Sequence, residues 1–318
     1  MDQVEVGRRP GTVRLLATVD AGTAAEVPVI AIAGERPGPV FVATAGVHGD
    51  EYEGPRALWD VCATLAPSSL AGVFVALPLC NPWAFAALSR ATPDRIDGVN
   101  LARTFPGDRG GSPTQRLAAA LLALVLRLRP ALFLDLHSGG ARYRYLPMIG
   151  YRHGLGDEER ARAAARAFGV PNLWRLRDHP GTFNSETARL VITTVGVEMT
   201  GAGGCLDEDV AADREGTLNL LRWLGMLRDR PAPETSGPFW RMTDATAAAG
   251  GYVEVHATVG AAVARGDPLA TVRSPFGDTV ADARAPHDGT TWVTRHLRVI
   301  DRGETLASVA RPEDSGGG

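Results

Sequence analysis

Residues 40–54 constrain the fold of this chain most, because they have the pattern of a buried strand, a glycine-rich turn and the start of a helix. The run 40–43 is short, apolar and β-branched, which is typical of a buried strand. His48 and Glu51 follow on the turn, and Pro55 then opens a helix. Imidazole and carboxylate groups bind zinc and similar divalent ions, but two ligands on one turn need a third. Alone, such a pair is more often a solvated His and Glu, so the metal hypothesis depends on that third ligand.

Two further strands end in residues that complete such a site. Strand 131–136 is apolar except for Asp135 and runs directly into His137. Side chains alternate along a regular strand, so Asp135 lies on the same side as His137, where a carboxylate orients a metal-binding histidine. Glu198 ends the apolar strand 191–197, ahead of another glycine-rich turn. A Glu is rarely buried without a partner, and a metal-activated water is a suitable one.

Three strands therefore place their functional residues at their carboxyl ends, where ligands bind in open α/β sheets. Each feature alone is weak evidence, because a lone His at a strand end is as often a hydrogen-bonded structural residue. Their common placement predicts a metal-dependent hydrolase in which Glu198 is the general base.

Composition supports a globular enzyme and excludes several other classes. The chain has 318 residues, 45% hydrophobic and 22% charged, with a net charge of −3 and no basic patch, so we expect no nucleic-acid partner. The longest apolar run, 117–126, is too short to span a membrane, and three cysteines without a C-x-x-C pair indicate a cytoplasmic protein. All 33 basic residues are Arg, which excludes Schiff-base, P-loop and carrier-lysine chemistry.

Hydrophobic periodicity predicts the remaining elements before residue 230. Strands are expected at 12–19, 27–33 and 73–78, and helices at 55–65, 112–128 and 213–227. The stretch 83–113 lacks periodicity and is too long for an ordinary connection. Because it mixes apolar anchors with polar groups at 97–107, we expect an ordered binding loop there.

The sequence pattern changes after a proline-rich linker at 230–238. Short β-type runs follow at 251–255, 268–272, 290–293 and 305–309, which resemble a biotinyl/lipoyl-type barrel without a lysine to modify. We therefore predict a catalytic α/β domain at 1–235, a smaller all-β, barrel-like domain at 236–312 and a flexible tail at 313–318.

Over about residues 40–204 the chain resembles the succinylglutamate desuccinylase/aspartoacylase family, relatives of the zinc carboxypeptidases. The matching segments, in the family's order, are 46–51, 81–82, 97–107, 135–137 and 197–198. The stretch 48–55 is most similar to the subgroup that removes acetyl from N-acetyl-diaminobutyrate. The resemblance implies an α/β fold with a zinc-carboxypeptidase-like mixed sheet flanked by helices.

The resemblance also implies the roles of the residues at the centre. It makes His48, Glu51 and His137 the ligands of one Zn2+ per chain, and Glu198 the base. An Arg steadies the oxyanion of the scissile carbonyl, which fits Arg90 best. Arg95 is the alternative.

An Asn–Arg pair grips the substrate carboxylate in the family, and here Arg103 fits the Arg. Asn81 and Asn100 are the further candidate substrate-binding residues. The position before Arg103, usually Asn, is Ala102. We therefore expect either a substrate without a free α-carboxylate or a carboxylate placed differently, met by Arg142 or Arg144.

The function that follows is a zinc-dependent deacylase acting on a small-molecule N-acyl amino acid or related amide. One rival is a metallocarboxypeptidase acting on peptides, although a β-domain beside the site should restrict access. Another is a non-catalytic binding protein that retains the fold. The sequence leaves the acyl group and the oligomeric state open, and it allows a homo-oligomer.

Overall fold

This computed structural model describes residues 10–20, 24–230 and 232–313. The strands before residue 200 are β1 (Gly11–Asp20), β2 (Ala24–Ala33), β3 (Arg36–Thr44), β4 (Ala71–Leu77), β5 (Leu132–Ser138), β6 (Tyr143–Tyr145), β7 (Met148–Arg152), β8 (Asn172–Leu176) and β9 (Thr194–Met199). The helices are α1 (Glu53–Thr64), α2 (Pro82–Ala86), α3 (Pro113–Leu128), α4 (Glu158–Phe168), α5 (Phe183–Arg189) and α6 (Asp207–Trp223). The strands after α6 are β10 (Phe239–Thr246), β11 (Gly251–Val255), β12 (Ala262–Val263), β13 (Pro268–Arg273), β14 (Thr279–Arg284), β15 (Gly289–Arg295), β16 (Val299–Ile300) and β17 (Thr305–Pro312).

A large mixed sheet organises these elements, in the order β1-β2-β4-β3-β5-β9-β7-β8-β10-β17-β15-β12. Strands β4, β3, β5 and β9 are parallel neighbours, whereas β7 runs antiparallel to β9. The parallel strands bring their carboxyl ends to one edge. The predicted mixed α/β sheet flanked by helices is therefore confirmed.

The strands after residue 238 do not form a closed barrel, so that part of the prediction is wrong. Strands β14, β13, β11 and β16 make a separate four-stranded sheet. Strand β10 instead pairs with β8, and β15 pairs with β6, which continues the large sheet into this region. These strands use their edges to bind the catalytic sheet, so the edges are not available to close a barrel. The predicted division at residue 235 stays a prediction.

Helices cover both faces of the central strands, and alternation along each strand decides which face a residue joins. Phe41 and Ala43 of β3 pack into one core with helices α1, α4 and α6. Val42 packs on the opposite face with α3. In β5, Phe133 belongs to the α3 side, which places Asp135 on that side as well.

Some boundaries differ from the predicted ones. Helix α6 begins at Asp207 rather than 213, because three acidic residues occupy its first turn, where the helix dipole favours negative charge. The stretch 83–113 is ordered and contributes buried Leu101 and Phe105 to the core. The predicted tail lies outside the described residues apart from residue 313. Within the described part of the chain, no helix is both long and apolar enough to cross a bilayer.

Candidate active site

The turn between β3 and α1 buries both of its functional side chains, His48 and Glu51. His48 Nδ1 lies 2.7 Å from Glu51 Oε1. Gly49 makes this compact turn possible, because a Cβ atom at that position would lie 2.0 Å from the carbonyl carbon of Ala84. The glycine therefore lets the turn approach α2 closely and face both side chains inward.

The end of β5 brings a second imidazole to the same carboxylate. His137 Nδ1 lies 2.9 Å from Glu51 Oε2, and its Nε2 lies 3.1 Å from Asp135 Oδ2. The other oxygen of Asp135 accepts a hydrogen bond of 2.8 Å from Thr44 Oγ1. Because Asp135 is fixed by Thr44, it holds the His137 ring with Nδ1 directed at Glu51.

These three side chains fit a divalent metal ion. Their ligand atoms all lie within 4.8 Å of one another. His48 Nε2 is buried without a hydrogen-bond partner in the described residues, so none of them accepts a proton from that nitrogen. Burial lowers the pKa of His48 to about 4, so its imidazole is neutral at pH 7 and offers a lone pair.

The other two candidate ligands differ in their protonation: Glu51 is ionised, as a ligand must be, whereas His137 must release a proton before it binds a metal. Burial acts to raise the pKa of Glu51, but the two neighbouring histidines outweigh it and hold that pKa well below its usual range. Burial opposes protonation of His137, but Asp135 and Glu51 hold its pKa well above normal. This cluster of two nitrogens and a carboxylate is the donor set of catalytic zinc sites that keep one position open.

Glu198 lies opposite His137 in the register of β5 and β9 and lines the same cavity. Its carboxylate makes no hydrogen bond or ion pair with any described residue. Burial raises the pKa of Glu198 to about 8. A carboxylate of raised pKa beside a candidate metal centre has the placement and the basicity that a general base needs.

Of the two candidate oxyanion arginines, the structure brings only Arg90 to the centre. Arg90 Nη1 lies 2.9 Å from Glu51 Oε1, and its side chain is 19% exposed, toward the cavity. Arg95 is exposed and does not line the cavity. Arg90 therefore keeps further guanidinium donors free to face a bound group.

The cavity that contains these residues has a volume of about 940 Å3. One wall comes from the strand ends, including His48, His137 and Glu198. Another comes from β10, β15 and β17, including Asp244 and Ser308. A cavity of this size suits a small molecule and is closed on one side by strands that follow the catalytic region in sequence.

The predicted substrate-binding residues are only partly at the cavity. Arg103 lines it and is solvent-exposed, with Nη1 donating to the carbonyl of Ala102 at 2.8 Å. Asn81 is buried outside the cavity lining and caps α2, its Oδ1 accepting from Ala84 N at 3.1 Å. Asn100 likewise accepts from Ala102 N and does not line the cavity. A substrate role for these two asparagines stays a prediction.

Of the two arginines predicted to meet a displaced carboxylate, Arg142 lines the cavity but pairs with Glu304 at 3.0 Å, and Arg144 is exposed outside it. Arg152, on β7, also lines the cavity and was not predicted from the sequence. The sequence pattern that could have identified Arg152 is the same as for Glu198: an apolar run, here at 148–151, is followed by a charged residue.

Comparison with known proteins agrees with this geometry. Residues 37–224 match the sequence model of the succinylglutamate desuccinylase/aspartoacylase catalytic domain. The N-alpha-acetyl-L-2,4-diaminobutyric acid deacetylase of Halomonas elongata is 31% identical over 290 residues, which cover 87% of this chain and 84% of that protein.

Two solved structures are similar over nearly their whole length. The succinylglutamate desuccinylase/aspartoacylase from Rhodobacter sphaeroides is 27% identical with a TM-score of 0.87, covering 98% of both chains. The product-bound ectoine utilization protein EutE (DoeB) from Ruegeria pomeroyi is 28% identical with a TM-score of 0.85, covering 96% of this chain and 97% of that one. The match over most of the chain, together with the sequence identity, places this protein in the succinylglutamate desuccinylase/aspartoacylase family.

Proposed function

We propose that the protein is a zinc-dependent deacylase that hydrolyses the amide bond of N-acyl amino acids. The observation that carries this proposal is the convergence of His48, Glu51 and His137 within 4.8 Å, beside Glu198 in one cavity. The deacetylase activity named for the Halomonas relative supports the same reaction class.

The ion would be held by His48, Glu51 and His137. When bound there, zinc supplies a Lewis acid that polarises the amide carbonyl and increases the acidity of water. Asp135 keeps the His137 ring oriented for this role through its contact with Nε2.

Glu198 moves the proton. Its unpaired carboxylate faces the cavity and takes a proton from the attacking water, then delivers that proton to the leaving amine. The raised pKa makes its ionised form a stronger base than an ordinary carboxylate, and a cation bound beside it would favour that ionised form at pH 7.

Arg90 supplies positive charge where the carbonyl oxygen becomes negative. One of its nitrogens is fixed by Glu51, which orients the guanidinium before substrate arrives. A charged donor that is already oriented stabilises the transition state more than the ground state.

A hydrolysis screen tests the proposal. The zinc-loaded protein is given N-acetyl, N-succinyl and N-formyl amino acids, with dipeptides and tripeptides as the comparison, and the released amine is measured. We expect turnover of at least one N-acyl amino acid and much slower cleavage of peptides. Efficient peptide cleavage without deacylation would identify a metallocarboxypeptidase, and no turnover of any kind would overturn an enzymatic role.

A further inference from the structure

The cavity extends beyond the catalytic centre along β7. In the register of β7 and β9, Met148 lies opposite Glu198 and Gly150 lies opposite Gly196. Arg152 is two residues further on, so it projects from the same face of the sheet as Glu198. The lining of the cavity includes both side chains.

Neutral groups fix the guanidinium of Arg152 in place. Its Nε donates to Asn184 Oδ1 at 2.8 Å, and its Nη1 donates to the carbonyl of Arg177 at 2.6 Å. Its Nη2 lies 3.5 Å from Thr182 Oγ1. Within the described residues no carboxylate lies within 4.0 Å of it, and the more distant Asp135, Glu198 and Asp178 favour its charged form without a direct contact. Burial lowers the pKa of Arg152 to about 10, which leaves it charged at pH 7.

Asn184 offers a second donor at the same place. Its Oδ1 accepts from both Arg152 Nε and Thr182 Oγ1, whereas its Nδ2 donates to no described residue. A Cβ atom on Gly196 would lie 2.8 Å from that Nδ2, so the glycine provides the room that the amide occupies. An oriented amide and an oriented guanidinium thus stand side by side in the cavity lining.

Several other arginines of the lining already have carboxylate partners. Arg90 pairs with Glu51 and Arg142 with Glu304. A charged group held in a partly buried position by neutral partners costs free energy unless an anion joins it. A carboxylate matches the two parallel donors of a guanidinium.

On the basis of the proposed function, we propose that Arg152 and Asn184 bind a carboxylate on the amino-acid part of the substrate. This pair supplies the amide that the chain lacks at position 102, where Ala102 stands before Arg103, together with a guanidinium in addition to that of Arg103. The carboxylate is either the α-carboxylate, displaced toward β7, or one on the amino-acid side chain.

Kinetics on matched acids and amides test this assignment. The ratio of kcat/KM is measured for an N-acetyl amino acid against its α-carboxamide, and for N-acetylglutamate against N-acetylglutamine. Arg152→Gln should lower one of these acid-to-amide ratios by about 10- to 100-fold, the range for hydrogen bonds to a charged group. The ratio that falls identifies the carboxylate. Arg152→Lys, which keeps the charge, should fall less, and Asn184→Ala should lower the same ratio. Arg109→Gln, an exposed arginine outside the cavity, controls for net charge and should change neither ratio.

Calorimetric binding of free glutamate and of its α-amide separates this proposal from the proposed function, because binding needs no turnover. If the wild type hydrolyses no N-acyl compound but binds the acid through Arg152, the deacylase function falls and the subsite stands. If the wild type deacylates and folded Arg152→Gln keeps both kinetic ratios and the same binding, the subsite is overturned. Thermal unfolding of each variant confirms that it is folded.

Discussion

At the level of single residues, the candidate centre depends on one carboxylate that two imidazoles share. Each oxygen of Glu51 contacts the Nδ1 atom of a different histidine, His48 or His137, and Arg90 contacts Oε1. All three side chains of the cluster are largely withdrawn from solvent, so each needs a partner of opposite charge or a hydrogen bond. A bound divalent ion would act as a partner for all three side chains at once.

Removal of the ligands should therefore remove the metal. We expect His48→Ala, Glu51→Ala and His137→Ala each to lose most of the about one equivalent of zinc that a single site binds. Elemental analysis of the purified proteins measures this. His153→Ala is the matched control, because His153 lines the same cavity but pairs with Glu158. A triple variant that keeps about one equivalent would show that the ligands lie elsewhere.

Burial of Asp213 leads to a second prediction, on how the stability of the protein depends on pH. Both of its carboxyl oxygens are buried without a partner in the described residues, and burial raises its pKa well above the usual range. The folded protein then keeps a proton that the unfolded chain releases above about pH 4, so stability falls as pH rises.

Asp213→Asn should remove that fall. The free energy of unfolding of the variant, relative to wild type, should rise from about pH 4 upward by at most about 1.4 kcal/mol per pH unit. Urea unfolding at a series of pH values measures the difference. A difference that stays constant with pH would contradict the assignment of a protonated Asp213.

Part of the candidate site could be predicted from the sequence alone, because several of its residues lie at the ends of strands. His48, His137 and Glu198 each follow an apolar run, and parallel strands bring such ends together. Arg152 was not predicted, because β7 is short and lies beside β9 only through a long-range antiparallel pairing. Ala102 led to the prediction that carboxylate binding differs, which stays a prediction, and sequence could not show that the guanidinium of Arg152 is hydrogen-bonded only to neutral groups.

At the level of elements, the short helix α2 is fixed by Asn81. The Asn81 side chain accepts from Ala84 N and donates to Thr92 Oγ1 at 3.1 Å, and it is fully buried. Its neighbours would be left without these hydrogen bonds if the amide were removed.

Asn81→Ala should therefore lower the free energy of unfolding by about 1–3 kcal/mol. Urea unfolding gives the loss, and steady-state kinetics on an N-acyl substrate give KM. If Asn81 acts only as a cap, KM of the folded variant should stay close to wild type. A large rise in KM with little loss of stability would instead support the substrate role predicted from the family resemblance.

Most elements before residue 137 could be located from sequence because their apolar runs are long. Helix α3, predicted at 112–128, is found at Pro113–Leu128 and begins with a capping box of Ser112 and Gln115. The pairing of the later strands could not be read, because β10 joins β8 and β15 joins β6 across long separations in sequence. A local pattern identifies a strand but not its neighbour.

At the scale of the whole molecule, the strands after α6 complete the cavity wall. Arg295, at the end of β15, connects them to the catalytic region. Its Nη1 donates to Tyr143 Oη at 3.3 Å and its Nη2 to the carbonyl of Val299 at 2.7 Å. Its guanidinium also lies 3.2 Å from Glu304, which pairs with Arg142.

Arg295→Met should weaken this connection. We expect a loss of about 1–3 kcal/mol in the free energy of unfolding, because Arg295 is buried while Glu304 keeps some contact with water. Arg273→Met removes a solvent-exposed ion pair with Glu254 in the same region and should cost much less, because water screens such a pair. Urea unfolding compares the two variants. Equal losses would show that the Arg295 contacts do not hold the wall in place.

The rate of amine release by Glu198→Gln, measured together with its zinc content, tests directly whether Glu198 is the general base of a zinc-dependent deacylase. Gln keeps the size and polarity of Glu but cannot take a proton. We predict that the variant binds about as much zinc as wild type and releases amine from the best N-acyl amino acid about 10²- to 10⁴-fold more slowly. A folded, zinc-loaded Glu198→Gln protein with a near-normal rate would contradict this prediction.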